Sequence, residues 1–110
     1  MKLVEIGPRP SGSEELETSR IYITDQLEKL GWSVQRQVFE KMTPEGKVEF
    51  VNLRSRFGAA NWDGKVTGLL CSHYDTKKFS FRFVGANDAG SSTGLLIELA
   101  KVLAGRPELA

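Results

Sequence analysis

Three residues carry the chemistry this chain could do. His73 stands two positions before Asp75, and Asp88 follows after a polar, aromatic stretch. Zinc is commonly held by imidazole nitrogen and carboxylate oxygen. A metal-bound imidazole often donates its other N–H to a carboxylate. His-x-Asp at the end of a strand can do this, because residues two apart leave a strand on the same face. The three groups therefore point to a metal site, with His73 and Asp88 as candidate ligands and Asp75 as the carboxylate that orients His73. Each also has a plainer use. A histidine at a strand end is commonly a structural hydrogen-bonder, and Asp88 suits the N-cap of the helix that follows it.

Two other chemistries fit less well. Cys71 lies two residues before His73, so a strand would place thiol and imidazole on one face, as a cysteine nucleophile and its base require. It sits inside the apolar run Val66–Ser72, however, where a buried small hydrophobe is the simpler reading. The glycines from Gly85 to Gly94 suggest a phosphate loop. Gly85-x-x-x-x-Gly90 is followed by Ser91-Ser92 rather than Lys-Ser or Lys-Thr, so the cation that reaches the phosphates is missing.

The elements that must position these residues follow from pattern. Gly7-Pro8-Arg9-Pro10-Ser11-Gly12-Ser13 reads as a rigid loop. Ser11 or Ser13 can cap the helix beyond it, and Ser11 with Glu14 fits a capping box. Leu16, Ile23, Leu27 and Leu30 recur at helical spacing, and Gly31 supplies the stop. Trp32, Val34 and Val38 alternate with polar residues, Thr43-Pro44-Glu45-Gly46 suits a type I turn, and Val48 to Leu53 alternate on the return strand. After a second turn signal, Asn61-Trp62-Asp63-Gly64, the run Val66–Ser72 lacks alternation, which predicts a central strand buried on both faces. Ligands of open α/β sheets bind beyond the carboxyl ends of such strands, where His73 and Asp75 fall. Leu95, Leu96, Ile97, Leu99, Val102 and Leu103 surround most of a last helix, which predicts a well-buried one ended by Gly105 and Pro107. The expected fold is α/β, a mixed sheet flanked by helices, with the hairpin joined to the central strand and residues 1–110 forming part of a single domain.

Composition excludes more than it identifies. The chain has 110 residues, is 40% hydrophobic and 26% charged, and carries a net charge of +1. Its cations are scattered, which argues against nucleic acid as a partner. No apolar run approaches a membrane span, and Met1-Lys2-Leu3-Val4 leads into Gly7-Pro8-Arg9-Pro10 without the apolar segment of a signal peptide. Neither membrane insertion nor an intrachain disulfide is expected, since Cys71 is the sole cysteine.

Ser72-His73-Tyr74-Asp75-Thr76-Lys77, followed by Phe83-Val84-Gly85-Ala86-Asn87-Asp88, resembles the metal-site signature of the zinc aminopeptidase superfamily that includes the glutaminyl cyclases. Gly7-Pro8-Arg9 with Gly12-Ser13 resembles the entry to that family's first helix. Thr43-Pro44-x-Gly46, Phe50-x-Asn52 and Lys77 resemble the cyclase branch, whereas Asn87 to Gly94 is closer to the aminopeptidase form. The resemblance implies the N-terminal half of a phosphorylase/hydrolase-like zinc exopeptidase sandwich, holding one or two zinc ions and acting on a peptide or protein N-terminus. Its setting would be secreted or periplasmic. It assigns Asp88 as a zinc ligand in both branches, His73 as a ligand in the aminopeptidase form, and Asp75 as the support of His73. It also requires a Glu-Glu pair, a further carboxylate and a distal histidine downstream; this chain has no second histidine. The implied activity is conversion of N-terminal glutamine to pyroglutamate, with hydrolysis of the first peptide bond as the alternative. From a different class, the chain reads as an inactive fragment or non-catalytic module with an incomplete metal site. Because later strands and helices are missing, exposed apolar surface is expected on the last helix.

Overall fold

The Ser13 side chain accepts a hydrogen bond from the Leu16 backbone N–H at 3.1 Å and so caps the first long helix. The computed structural model describes residues 2–58, 62–66, 68–78 and 80–109. Its elements run in the order α1 (Lys2–Ile6), α2 (Glu14–Lys29), β1 (Trp32–Thr43), β2 (Gly46–Phe57), a wide helical turn (Ala86–Ser91) and α3 (Ser92–Ala104). Ser11, the other capping candidate, instead points its hydroxyl at Asp75. The short α1 was not expected from pattern; it buries Leu3 and precedes the rigid loop. Gly31, at φ +91°, takes the left-handed conformation that ends α2 and turns the chain into β1.

β1 and β2 form an antiparallel hairpin in which Trp32 pairs with Phe57 and Thr43 with Gly46. Pro44 and Glu45 make the turn without positive φ, which excludes the mirror-image hairpin turns. The hairpin base is anchored. Trp32 meets Phe57 edge-on, and its indole N–H donates to the Ala100 carbonyl of α3 at 3.0 Å. On β2 half-buried Val48 and Phe50 alternate with exposed Lys47 and Glu49, and Val51 is buried, whereas on β1 Trp32–Val34 are half-buried and the outer part is exposed, so the alternation expected on β1 is absent.

The central-strand expectation is not met. Val66 and residues 68–72 form no strand, and the sheet of the described residues contains β1 and β2 alone. Leu69 and Leu70 are 79% and 65% exposed. A run of apolar residues becomes a central strand only where neighbouring strands complete its backbone hydrogen bonds, and among the described residues none lies beside it. The turn before it is present over Trp62–Gly64, with Arg54 donating to the Trp62 carbonyl at 3.0 Å; Asn61 and Thr67 lie outside the described residues. Helix α3 ends at Ala104 with Gly105 as its cap, as expected. It buries Thr93 and Ala100, but Leu95 and Val102 remain exposed, so it is less buried than its composition suggests and carries the apolar surface anticipated for it. No helix of the described residues is long and apolar enough to cross a membrane.

Candidate metal centre

Two loops carry the three candidate residues, and both are held from the N-terminal side. Arg9 is fully buried. Its Nε donates to the Tyr74 carbonyl at 3.0 Å, and its Nη1 donates to the carbonyls of Val84 at 2.8 Å, Leu3 at 2.8 Å and Gly7 at 3.0 Å. Its backbone pairs with Thr76 in both directions: Arg9 N–H donates to Thr76 Oγ1 at 2.7 Å, and Thr76 N–H to the Arg9 carbonyl at 2.8 Å. Burial lowers the Arg9 pKa while Asp75 raises it.

Tyr74 faces inward between the two site residues. Its hydroxyl donates to the Val51 carbonyl of β2 and accepts from Arg20 Nε of α2 at 2.8 Å. Burial raises its pKa, opposed by Arg20. The backbone of His73 is fixed from α3, where the buried Thr93 hydroxyl donates to the His73 carbonyl at 2.9 Å.

Asp88 sits in the wide turn, not at a helix cap. The N-cap of α3 is Ser91, and no side chain caps it. Asp88 (φ −107°, ψ 93°) and Ala89 (φ −124°, ψ 37°) leave helical conformation, and the peptide between them is cis. Gly85 opens the turn at φ +61°, and its carbonyl receives the Gly90 N–H at 2.8 Å. A Cβ on Gly85 would stand 2.4 Å from the Asp88 carbonyl oxygen and 2.7 Å from Thr76 Cγ2, so no other residue fits there without displacing Asp88.

The three candidates meet. His73 Nδ1 lies 3.1 Å from Asp75 Oδ1, and His73 Nε2 lies 2.8 Å from Asp88 Oδ1. Partial burial presses the imidazole pKa down, but Asp75 and then Asp88 outweigh it, and the net shift is upward. Nε2 and the Asp88 carboxylate flank the position that a cation would take. Two donors bound about 2.0–2.1 Å from a tetrahedral zinc are roughly 3.3 Å apart, so a small opening of the His73–Asp88 pair would admit the ion. Imidazole nitrogen and carboxylate oxygen are the donor types zinc takes. Among the described residues, however, no group of three or more His, Cys, Asp and Glu side chains converges as a complete metal set.

The cysteine alternative is not supported. Cys71 is exposed rather than buried, and both nitrogens of His73 face carboxylates. Sequence reasoning singled out His73, Asp75 and Asp88, which the structure brings side by side. It missed Arg9, Arg20, Tyr74 and Thr93 as the residues that hold that site. The only signal for Arg9 was a cation set between two prolines; nothing local marks the others.

Known proteins resemble this chain in sequence and in fold. A model of peptidase family M28 matches residues 56–109. The glutaminyl-peptide cyclotransferase of Dictyostelium discoideum is 31% identical, the match covering 74% of this chain and 28% of that protein. The Drosophila melanogaster glutaminyl-peptide cyclotransferase is 32% identical, with 87% of this chain and 27% of that protein covered. The crystal structure of Fimbriiglobus ruber glutaminyl cyclase superposes with a TM-score of 0.81 at 32% identity, over 94% of this chain and 37% of that one. By sequence and fold the chain belongs to the aminopeptidase superfamily that holds the M28 peptidases and the glutaminyl cyclases. Within it, the chain lies on the glutaminyl cyclase-like branch. It spans little more than a quarter of the length of the two curated relatives, 28% and 27%.

Proposed function

We propose that the protein carrying this chain is a zinc-dependent glutaminyl-peptide cyclotransferase, acting on the free N-terminus of a peptide or protein in a secreted or periplasmic setting. One observation carries the reading of the site: His73 Nε2 and Asp88 Oδ1 converge at 2.8 Å while Asp75 takes the other imidazole nitrogen. The names of the relatives support the choice of reaction. Asp88 is the ligand assigned first; His73, which the resemblance makes a ligand only in the aminopeptidase form, is proposed to add a nitrogen donor here as well, and Asp75 orients His73. The metal, as one or two ions, supplies Lewis acidity to the γ-carbonyl of the substrate glutamine. In the reaction, the substrate's α-amine attacks its own γ-carbonyl carbon. The bond from that carbon to the side-chain amide nitrogen breaks, and the amine's proton leaves with that nitrogen as ammonia. What this chain contributes is placement. Asp75 holds Nδ1–H so that the Nε2 lone pair faces the metal position, and the Gly85 turn presents the Asp88 carboxylate opposite it.

An aminopeptidase reading has one observation in its favour. His73 turns Nε2 toward Asp88, the pairing that the two-zinc form of the resemblance uses. The full-length protein, loaded with zinc and offered a Gln-peptide and a Leu-peptide, separates the two. Ammonia and a pyroglutamyl product, with no free amino acid released, is the expected result. Release of leucine from the second peptide would contradict the cyclase assignment.

A further inference from the structure

We propose that Arg9 is a positioning residue for the metal centre: its guanidinium sets the spacing of His73 and Asp88 by gripping the loop of each. The inference rests on the metal-site reading above and adds a residue outside that set. Nε binds the carbonyl of Tyr74, which lies between His73 and Asp75, while Nη1 binds the carbonyl of Val84, one residue before the turn that presents Asp88. A guanidinium is a rigid planar fork, so the two carbonyls are tied to one body. The reciprocal backbone pair with Thr76 fixes the first loop to the same residue. The second loop also runs close against the guanidinium, since a Cβ added at Gly85 would lie 3.3 Å from Arg9 Nη2.

Stability alone does not account for an arginine here. Arg9 is 0% exposed, and its Nη2 has no hydrogen-bond partner among the described residues. Buried charges are expensive, and replacing buried ionic groups by well-packed apolar residues is often neutral or stabilising. A buried donor left unsatisfied adds to that expense. What an apolar side chain could not supply is the simultaneous hold on the Tyr74 and Val84 carbonyls.

The test is zinc affinity of the full-length protein, measured by chelator competition well below the melting temperature of each variant. Arg9→Lys keeps the charge but loses the fork. It is expected to melt cooperatively and to bind zinc roughly tenfold or more weakly, the loss seen when groups that orient metal ligands are removed. Ile23→Ala, a core change on α2 outside both loops, is expected to lower stability and keep wild-type zinc affinity. Wild-type affinity in Arg9→Lys, or an equal loss in Ile23→Ala, overturns the inference. Should Arg9→Lys fail to fold, Arg9→Gln takes its place, with an amide that can donate to one of the Tyr74 and Val84 carbonyls but cannot bridge both. A loss of roughly tenfold there supports the inference, and unchanged affinity overturns it. Asp88→Ala reports on the site itself. Loss of zinc in Asp88→Ala with wild-type affinity in Arg9→Lys removes the Arg9 role alone. Retained zinc in Asp88→Ala removes the metal-site reading and this inference with it.

Discussion

Between Asp75 and Asp88 the imidazole of His73 has a carboxylate on each nitrogen, at 3.1 and 2.8 Å, and the two contacts have different consequences. Asp75 can keep its contact when a metal is present, whereas the His73–Asp88 contact must open to admit one. Asp75→Asn retains size but withdraws the negative charge that makes the imidazole a stronger donor. Zinc affinity of the full-length variant is expected to fall about 10- to 100-fold; an unchanged value would remove Asp75 from the orienting role. Tyr74 supports the same loop differently. Tyr74→Phe leaves the Val51 carbonyl without its hydroxyl donor and Arg20 Nε without its acceptor. Chemical denaturation is expected to report a loss of about 1–3 kcal/mol, the usual penalty for stranded buried polar groups; no loss would mean the two groups find other partners. At this scale the candidate residues and their closeness were legible, because His-x-Asp and Asp88 are metal-competent by type and spacing. The supports were not, because Arg9 acts on carbonyls 65 and 75 residues away and no local pattern encodes such pairings.

At the scale of elements, α2 is bound to the hairpin by charge as well as by packing. Arg36 of β1 reaches Glu17 of α2 with both terminal nitrogens, the second at 2.7 Å, and Arg20 reaches the same carboxylate at 3.3 Å. Arg36, chiefly through its hydrogen bonds, holds the Glu17 pKa below its ordinary 4.5, although partial burial opposes it. A carboxyl with a depressed folded pKa stabilises above its unfolded pKa, and that contribution fades as pH falls through the folded value. Wild type is therefore expected to lose more of its urea midpoint than Glu17→Gln between about pH 5 and about pH 3. Equal losses would mean the clamp carries no linkage. The helix α2 and the hairpin were legible because their signals are local: a Ser13 cap, a Gly31 stop, alternation and a Pro-containing turn. Val66–Ser72 misled for the opposite reason. Its apolar run states what a strand there would need, not whether neighbours are present to pair with it. The wide turn around Asp88 was read as a helix opening because its small residues are compatible with both. Only the backbone angles of Asp88 and Ala89 distinguish them.

At the scale of the whole molecule, apolar side chains lie open in several places among the described residues. Leu69 and Leu70 are exposed before the His73 loop, Val38 and Met42 on the hairpin, and on α3 Leu95 and Val102 are 59% and 62% exposed. Exposed apolar surface favours association. The 110-residue chain on its own is expected to bind a hydrophobic dye and to self-associate; a dye-silent monomer would contradict that. With two converging donors among its described residues, this chain alone is also expected to bind zinc no more tightly than about millimolar, below what three protein ligands sustain. The family assignment does not depend on that outcome, since it rests on the fold and the relatives. The account's central claim is more local: that the metal of the full-length protein lies between Asp88 and the His73 loop. Anomalous diffraction at the zinc edge from crystals of the zinc-loaded full-length protein tests it directly. The account expects a peak about 2.0–2.2 Å from an Asp88 carboxylate oxygen, on the side that faces His73. Ordered zinc elsewhere, with Asp88 still hydrogen-bonded to a protonated His73, would contradict it.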